Sequence, residues 1–370
     1  MNRELSFDKE SHSHWAINTT VRCQHRCVYC FEGKRRGLDD LTPEQTEQLL
    51  AQAVSKVPAV IFMGAEPTLN PHLPRLLACA RRLGLRADIS TNALRLSDAD
   101  YLRKLHEAGL GTIELSFPYP DEQVYERLSR ARPRGFFRLL LALENIDRLN
   151  RSSAQVEPHW VNVNVVVSRL NVDRLDEVVR HVSSRLSPGT FVFTFKQLLR
   201  PDTYDIQAFL EEVYVPLRQL REAFTRLAPL LDGQHRFCFR GFPLCALPQL
   251  ERFDGDLGYQ LGSVVVAHNF QDQEHFQDMY PEAVLGRSHP FEWVCEACAL
   301  DPLCSQRGLF ACAANLPDHA PIPVAGAIPR SLVEWVSHHD RGKAMLRRPT
   351  VRSALGEMLA ALLRAVPPGS

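Results

Sequence analysis

The sequence predicts an α/β protein: a parallel sheet with helical crossovers, followed by a small cysteine-rich domain. Two observations carry the sheet. Between Trp15 and about Leu199, six apolar, β-branched runs alternate with segments whose apolar residues recur at helical spacing. Alternation of this kind packs as parallel strands joined by right-handed crossovers. A third observation carries the second domain. Beyond residue 231 the periodicity weakens, Gly, Pro, Phe and Cys become frequent, and six cysteines fall between positions 238 and 312.

The strand-like runs lie near 15–21, 59–64, 86–91, 111–117, 160–168 and 190–197. The helix after the first of them opens on Thr42 as cap, with Pro43 at the first helical position and Glu44 in the first turn, and runs to Val57. Leu73 to Leu83 and Ser97 to Ala108 follow, the latter closing on Gly109, a residue suited to the left-handed terminus of a helix. Tyr204 to Leu230 also shows helical spacing, and a basic helical tail is expected from Ser331 onward. The layout predicted is a tail (1–14), the sheet domain (15–200), a helical linker (201–231), the cysteine-rich domain (232–325) and a helical tail (326–370).

Charge and composition exclude several classes. The chain carries 43 basic and 43 acidic residues, so no global field draws it to nucleic acid or a membrane, and no basic run interleaves with aromatics. No apolar stretch approaches the roughly 18–20 residues of a spanning helix. The polar start, Met1 to Glu10, lacks the apolar core of a signal peptide. Ten cysteines clustered at ligand-like spacing, without an export signal, predict a cytoplasmic, reducing setting and metal rather than disulfides.

Directly after the first strand-like run come Cys23, Cys27 and Cys30, in Cys-Gln-His-Arg-Cys-Val-Tyr-Cys. Three thiolates on one tight loop can hold three irons of a [4Fe–4S] cube and leave the fourth iron open. Zinc asks for four protein ligands, or three plus a water, and rarely takes this spacing. Three thiols this close together cannot all pair locally as disulfides.

Later strands also end in polar residues. The second runs into Gly64-Ala65-Glu66-Pro67, the third ends Ser90-Thr91-Asn92, the fourth ends at Ser116, and the fifth carries Asn164. A carboxylate and exposed carbonyls at a strand end are acceptors suited to an ammonium group. On these residues the chain resembles the radical S-adenosylmethionine (SAM) enzymes. The resemblance implies an open, TIM-like (β/α)6 partial barrel with the chemistry at the carboxyl ends of its strands. It gives Cys23, Cys27 and Cys30 to a catalytic [4Fe–4S] cluster, with Tyr29 as the aromatic residue before the last cysteine. Gly64, Ala65 and Glu66 match the turn that holds the SAM ammonium, Ala65 standing for a second glycine. Ser90, Asn92 and Ser116 would face the SAM pocket, and Asn164 would touch its ribose or carboxylate; ordinary strand-end capping is the competing reading of Ser90, Ser116 and Asn164. Arg127 or Arg138 could reach the SAM carboxylate.

The second cluster comprises Cys238, Cys245, Cys295, Cys298, Cys304 and Cys312. A zinc site competes on spacing alone. The Gly241-x3-Cys245 step and the Cys295-x2-Cys298-x5-Cys304 triplet resemble the SPASM and twitch domains, which implies at least one auxiliary [4Fe–4S] cluster. Cys79, in an apolar helical segment, reads as core. The resemblance implies reductive cleavage of SAM to a 5′-deoxyadenosyl radical, hydrogen abstraction from a substrate, and an electron donor such as flavodoxin or ferredoxin. A ribosomally made peptide or protein is the expected substrate. Only about fourteen residues precede the first strand, few for a leader-peptide reader. The alternatives are a dehydrogenase or epimerase of a small metabolite, and a non-catalytic iron–sulfur or zinc-binding scaffold.

Overall fold

A computed structural model describes residues 14–30, 39–55, 57–131, 133–152, 159–197, 213–231, 236–250, 253, 265–268, 295, 297–300 and 304. The first compact unit takes in residues 1–214, 230–237 and 263–279. Strand and helix alternate through it: β1 (His14–Asn18), α1 (Pro43–Ala53), β2 (Ala59–Met63), α2 (Leu73–Arg82), β3 (Arg86–Thr91), α3 (Ala99–Ala108) and β4 (Leu110–Ser116). Then come α4 (Glu122–Ser129), α5 (Gly135–Ser152), β5 (Val161–Val167), α6 (Leu175–Ser183) and β6 (Phe191–Gln197). After α7 (Leu217–Leu231), two more strands follow, β7 (Arg236–Arg240) and β8 (Val265–His268).

Among the described residues the strands form one open sheet in the order β7-β6-β5-β4-β3-β2-β1-β8. The ladders from β1 to β6, and that between β1 and β8, are parallel. The six expected strands form its centre, in the partial-barrel order. The edge strands β7 and β8 were not legible, being short and lying where the periodicity fails.

Local sequence explains the element ends. At α1 the Thr42 hydroxyl accepts from the Gln45 N–H while the Gln45 side chain accepts from the Thr42 N–H, a reciprocal cap behind Pro43. That helix stops at Ala53, short of Val57. The Asp98 carboxylate caps α3, so the helix starts at Ala99 rather than Ser97, and it ends on Gly109 at φ 106°. Two helices cross from β4 to β5, separated by Arg130 and Arg134 with left-handed φ of 48° and 68°. Gly135 opens the second because any Cβ there would strike the Tyr125 ring. The helix expected over the linker is described from Leu217, after Pro216, to Leu231; residues 201–212 of that expectation lie outside the described residues. Ahead of that helix, Arg169 donates its backbone N–H to the Val213 carbonyl and its Nε to that of Tyr214.

Period-two alternation sorts the strands. Ile17, Phe62, Ile89, Leu115, Val163 and Phe193 are fully buried on the helix-facing side, each contributing about 1.5–3 kcal/mol relative to exposure. The alternate positions carry Ser90, Glu114, Ser116, Asn162, Asn164, Thr194 and Lys196. Register aligns Ser90 with Glu114, Ser116 with Asn164, and Asn164 with Thr194, so the sheet's inner face is polar toward its carboxyl end. Cys79 is buried in α2, as expected of core.

The second unit takes in residues 215–229, 238–262 and 280–370. Phe224, Phe239 and Phe242 pack edge to face within it, with centroids 4.8, 5.0 and 6.1 Å apart. Cys238 and Cys245 are buried beside them, and Arg221 Nη1 donates to the Cys245 carbonyl. Cys312 and the tail over 326–370 lie outside the described residues.

Candidate active site

The chain leaves β1 at Asn18 because the next residues follow β2's turn instead of extending the strand. Thr19 N–H donates to the Met63 carbonyl and Ala65 N–H to that of Thr20. Gly64 permits this approach: its φ is 128°, and a Cβ would sit 2.6 Å from the Thr20 carbonyl oxygen. Ala65 is not among the residues with positive φ, so the missing second glycine costs the turn nothing. Asp40 then gathers the Thr20 hydroxyl, the Val21 N–H and the Arg22 guanidinium at 2.7–3.0 Å.

The cysteine loop leans on α4. Arg26 and Val28 donate their N–H groups to the carbonyls of Ser129 and Leu128, two of the acceptors a helix end leaves open. His25 is buried, its Nε2 2.8 Å from the Tyr125 hydroxyl, and burial pushes its pKa down to about 4, so the ring is neutral at neutral pH. Cys27 and Cys30 close a turn through Cys30 N–H to the Cys27 carbonyl. Burial, then the charges of Cys30 and Cys23, push the Cys27 thiol far above the usual range. The Tyr29 hydroxyl is buried against Tyr119, Ser116 and Cys27, aligned for a full hydrogen bond with none of the described residues.

Glu66 is 1% exposed. Its Oε1 accepts from the Thr68 N–H (3.1 Å), the Thr68 hydroxyl (2.6 Å) and the Thr91 hydroxyl (2.6 Å), and its Oε2 from the Asn92 N–H (2.7 Å). Burial raises its pKa, against the pull of those donors. The carboxylate thus locks the β2 turn to the end of β3, a structural duty the motif alone did not reveal. Asn92 faces the cysteine loop, with Nδ2 3.7 Å from Cys23 Sγ.

Ser90, Ser116 and Asn164 share the inner face, where Asn164 is 7% exposed and its Oδ1 has no partner among the described residues. Its Nδ2 lies 3.4 Å from Glu114 Oε2, and the Thr194 hydroxyl donates to Asn162 Oδ1. Glu114, Asn162 and Thr194 escaped the sequence reading, although strand alternation from Ser116 and Asn164 points to them. Arg138 is engaged otherwise than expected, donating to Ser97 Oγ and the Leu94 carbonyl.

Cys298 N–H donates to the Cys295 carbonyl and Cys304 N–H to that of Leu300. Among the described residues no three His, Cys, Asp or Glu side chains close round a single metal ion.

The residues present fit a cluster and SAM. A Cys27 thiol raised by burial and then by the charges of Cys30 and Cys23 would be relieved by bound cations, which thiolates ligate. The Asn164 acceptor, without a partner among the described residues, is a buried polar atom on the adjoining inner face. Residues 17–182 match the Radical SAM superfamily, which uses a [4Fe–4S] cluster and SAM. Over 115 residues the chain is 35% identical to 7,8-dihydro-6-hydroxymethylpterin dimethyltransferase of Methanocaldococcus jannaschii and 36% identical to Fe-coproporphyrin III synthase of Methanosarcina barkeri. Each match covers 30% of this chain, and 23% and 29% of those proteins' own lengths. The solved structure of Streptococcus suis SuiB bound to S-adenosylmethionine shares the fold, with a TM-score of 0.51 at 20% identity over 66% of this chain and 55% of that one.

Proposed function

From the radical SAM domain of residues 17–182 as premise, we propose that the chain is a radical SAM enzyme acting on a peptide or protein. The observation that carries the enzyme class is the meeting of the three-cysteine loop with the Gly64–Glu66 turn, joined by the Thr19–Met63 and Thr20–Ala65 hydrogen bonds. Cys23, Cys27 and Cys30 would hold a [4Fe–4S] cluster, and Tyr29, Gly64, Ala65, Glu66, Ser90, Asn92, Ser116 and Asn164 would line the SAM site. Held by those thiolates, a cluster would supply the electron for reductive cleavage of SAM and, through it, hydrogen abstraction from the substrate.

The chain's own residues do the positioning. Glu66 holds the turn rigid through Thr68, Thr91 and Asn92. Asn164 offers its free acceptor to SAM, and the helix-facing core keeps the polar inner face at the strand ends. Electrons would come from a flavodoxin or ferredoxin in the cytoplasm. No helix among the described residues is long and apolar enough to cross a membrane.

The peptide or protein substrate rests on the cysteine-rich second unit, whose Cys238, Cys245, Cys295, Cys298, Cys304 and Cys312 would ligate an auxiliary cluster. A second reading, a small-molecule substrate, draws on the relatives named for a pterin and a coproporphyrin.

Anaerobic reconstitution should load about eight irons, two four-iron cubes. With dithionite and SAM the loaded protein should release 5′-deoxyadenosine. Iron uptake without that release would reduce the chain to a scaffold. Zinc held at the carboxy-terminal cysteines would remove the auxiliary cluster.

A further inference from the structure

We propose that Asn92 is a positioning residue that raises the reduction potential of the cluster by donating a hydrogen bond to the Cys23 thiolate, with Gln24 orienting its amide. The inference rests on the reading of Cys23, Cys27 and Cys30 as cluster ligands.

The Asn92 amide has one way to face. Its Oδ1 accepts from Gln24 Nε2 at 3.0 Å and from the Leu94 backbone N–H at 3.1 Å. Both donors need the oxygen on their side, so the amide nitrogen is turned toward Cys23 Sγ at 3.7 Å. The backbone is pinned too: Asn92 N–H donates to Glu66 Oε2 at 2.7 Å, and Glu66 is itself buried and bonded to Thr68 and Thr91. The same sulfur accepts the His25 N–H at 3.3 Å.

A donor at a ligating sulfur stabilises the more negative, reduced state of an iron–sulfur cluster, because reduction places added charge partly on the sulfurs. The turn that carries the SAM motif is thereby linked to the cluster through three residues, Glu66, Asn92 and Cys23. The Gln24 bond spans 68 positions in sequence, so the amide's aim depends on the folded loop and not on β3 alone.

The test is an EPR-monitored redox titration of the anaerobically reconstituted protein, comparing Asn92→Ser with the unaltered chain. Serine can still accept from the Leu94 N–H and keep the turn, but it cannot reach Cys23. The reduction equilibrium should fall about tenfold, a shift of ~59 mV to more negative potential for a one-electron couple. The coupling of an exchangeable amide proton to the reduced cluster, read by ENDOR, should vanish with it. Gln24→Ala, an exposed change, should shift the potential the same way by a smaller amount. It decides alone if Asn92→Ser takes up no iron. An unchanged potential with the proton coupling intact would overturn the proposal. Failure of the unaltered protein to bind a cluster on Cys23, Cys27 and Cys30 would instead overturn the reading beneath it.

Discussion

Replacing Glu66 tests whether its carboxylate organises the site. Four donors end on it, and it is 1% exposed. In Glu66→Ala the two threonine hydroxyls can rotate to other acceptors, and the Thr91 oxygen still accepts the Ala93 N–H. The backbone N–H groups of Thr68 and Asn92 cannot turn away. Two orphaned donors at about 1–3 kcal/mol each make a loss of roughly 2–6 kcal/mol. Glu66→Gln keeps an oxygen for the three donors on Oε1 and sets its NH2 against the Asn92 N–H, so about 1–3 kcal/mol should go. Urea denaturation of the cluster-free protein, followed by circular dichroism under reducing conditions, reads both. The reasoning is refuted if Glu66→Ala costs less than about 1 kcal/mol, or if Gln costs as much as Ala.

Other expectations follow from neighbouring features. Gly64→Ala forces a Cβ to 2.6 Å from the Thr20 carbonyl at a φ of 128°; a loss of about 1–3 kcal/mol and impaired iron uptake are expected, and wild-type values of both would show that the turn tolerates a side chain. His159 is buried with its pKa lowered, chiefly by burial, and its ring contacts His106 and the Gly111 carbonyl. A histidine held neutral stabilises the fold above its ordinary value of 6.5 and loses that contribution as pH falls from there through its depressed pKa. His159→Gln should therefore flatten the denaturation free energy below pH 6.5, and an unaltered slope would clear His159 of the effect. Changing Cys295, Cys298 and Cys304 together to Ala should spare 5′-deoxyadenosine release, measured by chromatography, while stopping product formation. Loss of release from a protein still carrying about four irons would tie the two sites together.

The strands of the central sheet were legible because β-branched runs such as Val161–Val167 and Leu110–Ser116 keep one face apolar. Caps at Thr42 and Gly109 were legible because each is a local chemical device. What escaped depends on contacts distant in sequence. Arg169 meets the Tyr214 carbonyl across 45 positions. The engagement of Glu66 by Thr91 and Asn92, and of Asn92 by Gln24, joins three strand ends that no window of sequence contains. The motif pointed to Glu66 as a ligand for SAM; its packing adds a brace that the motif did not reveal. His106 and His159 lie 53 positions apart and meet only through the fold.

The dependence of the cysteine loop on α4 bears on how the protein is made. His25 meets Tyr125 across 100 residues, and Arg26 and Val28 bond to the end of the same helix. At about 5–20 residues per second, the ribosome releases the thiols roughly 5–20 seconds before the helix that shapes them. Through that interval the three cysteines are chemically present but have no seat. Iron and sulfide delivered during it would meet an unshaped peptide; under the proposed reading of the three cysteines, cluster insertion would follow the coming together of the first four strands and α4.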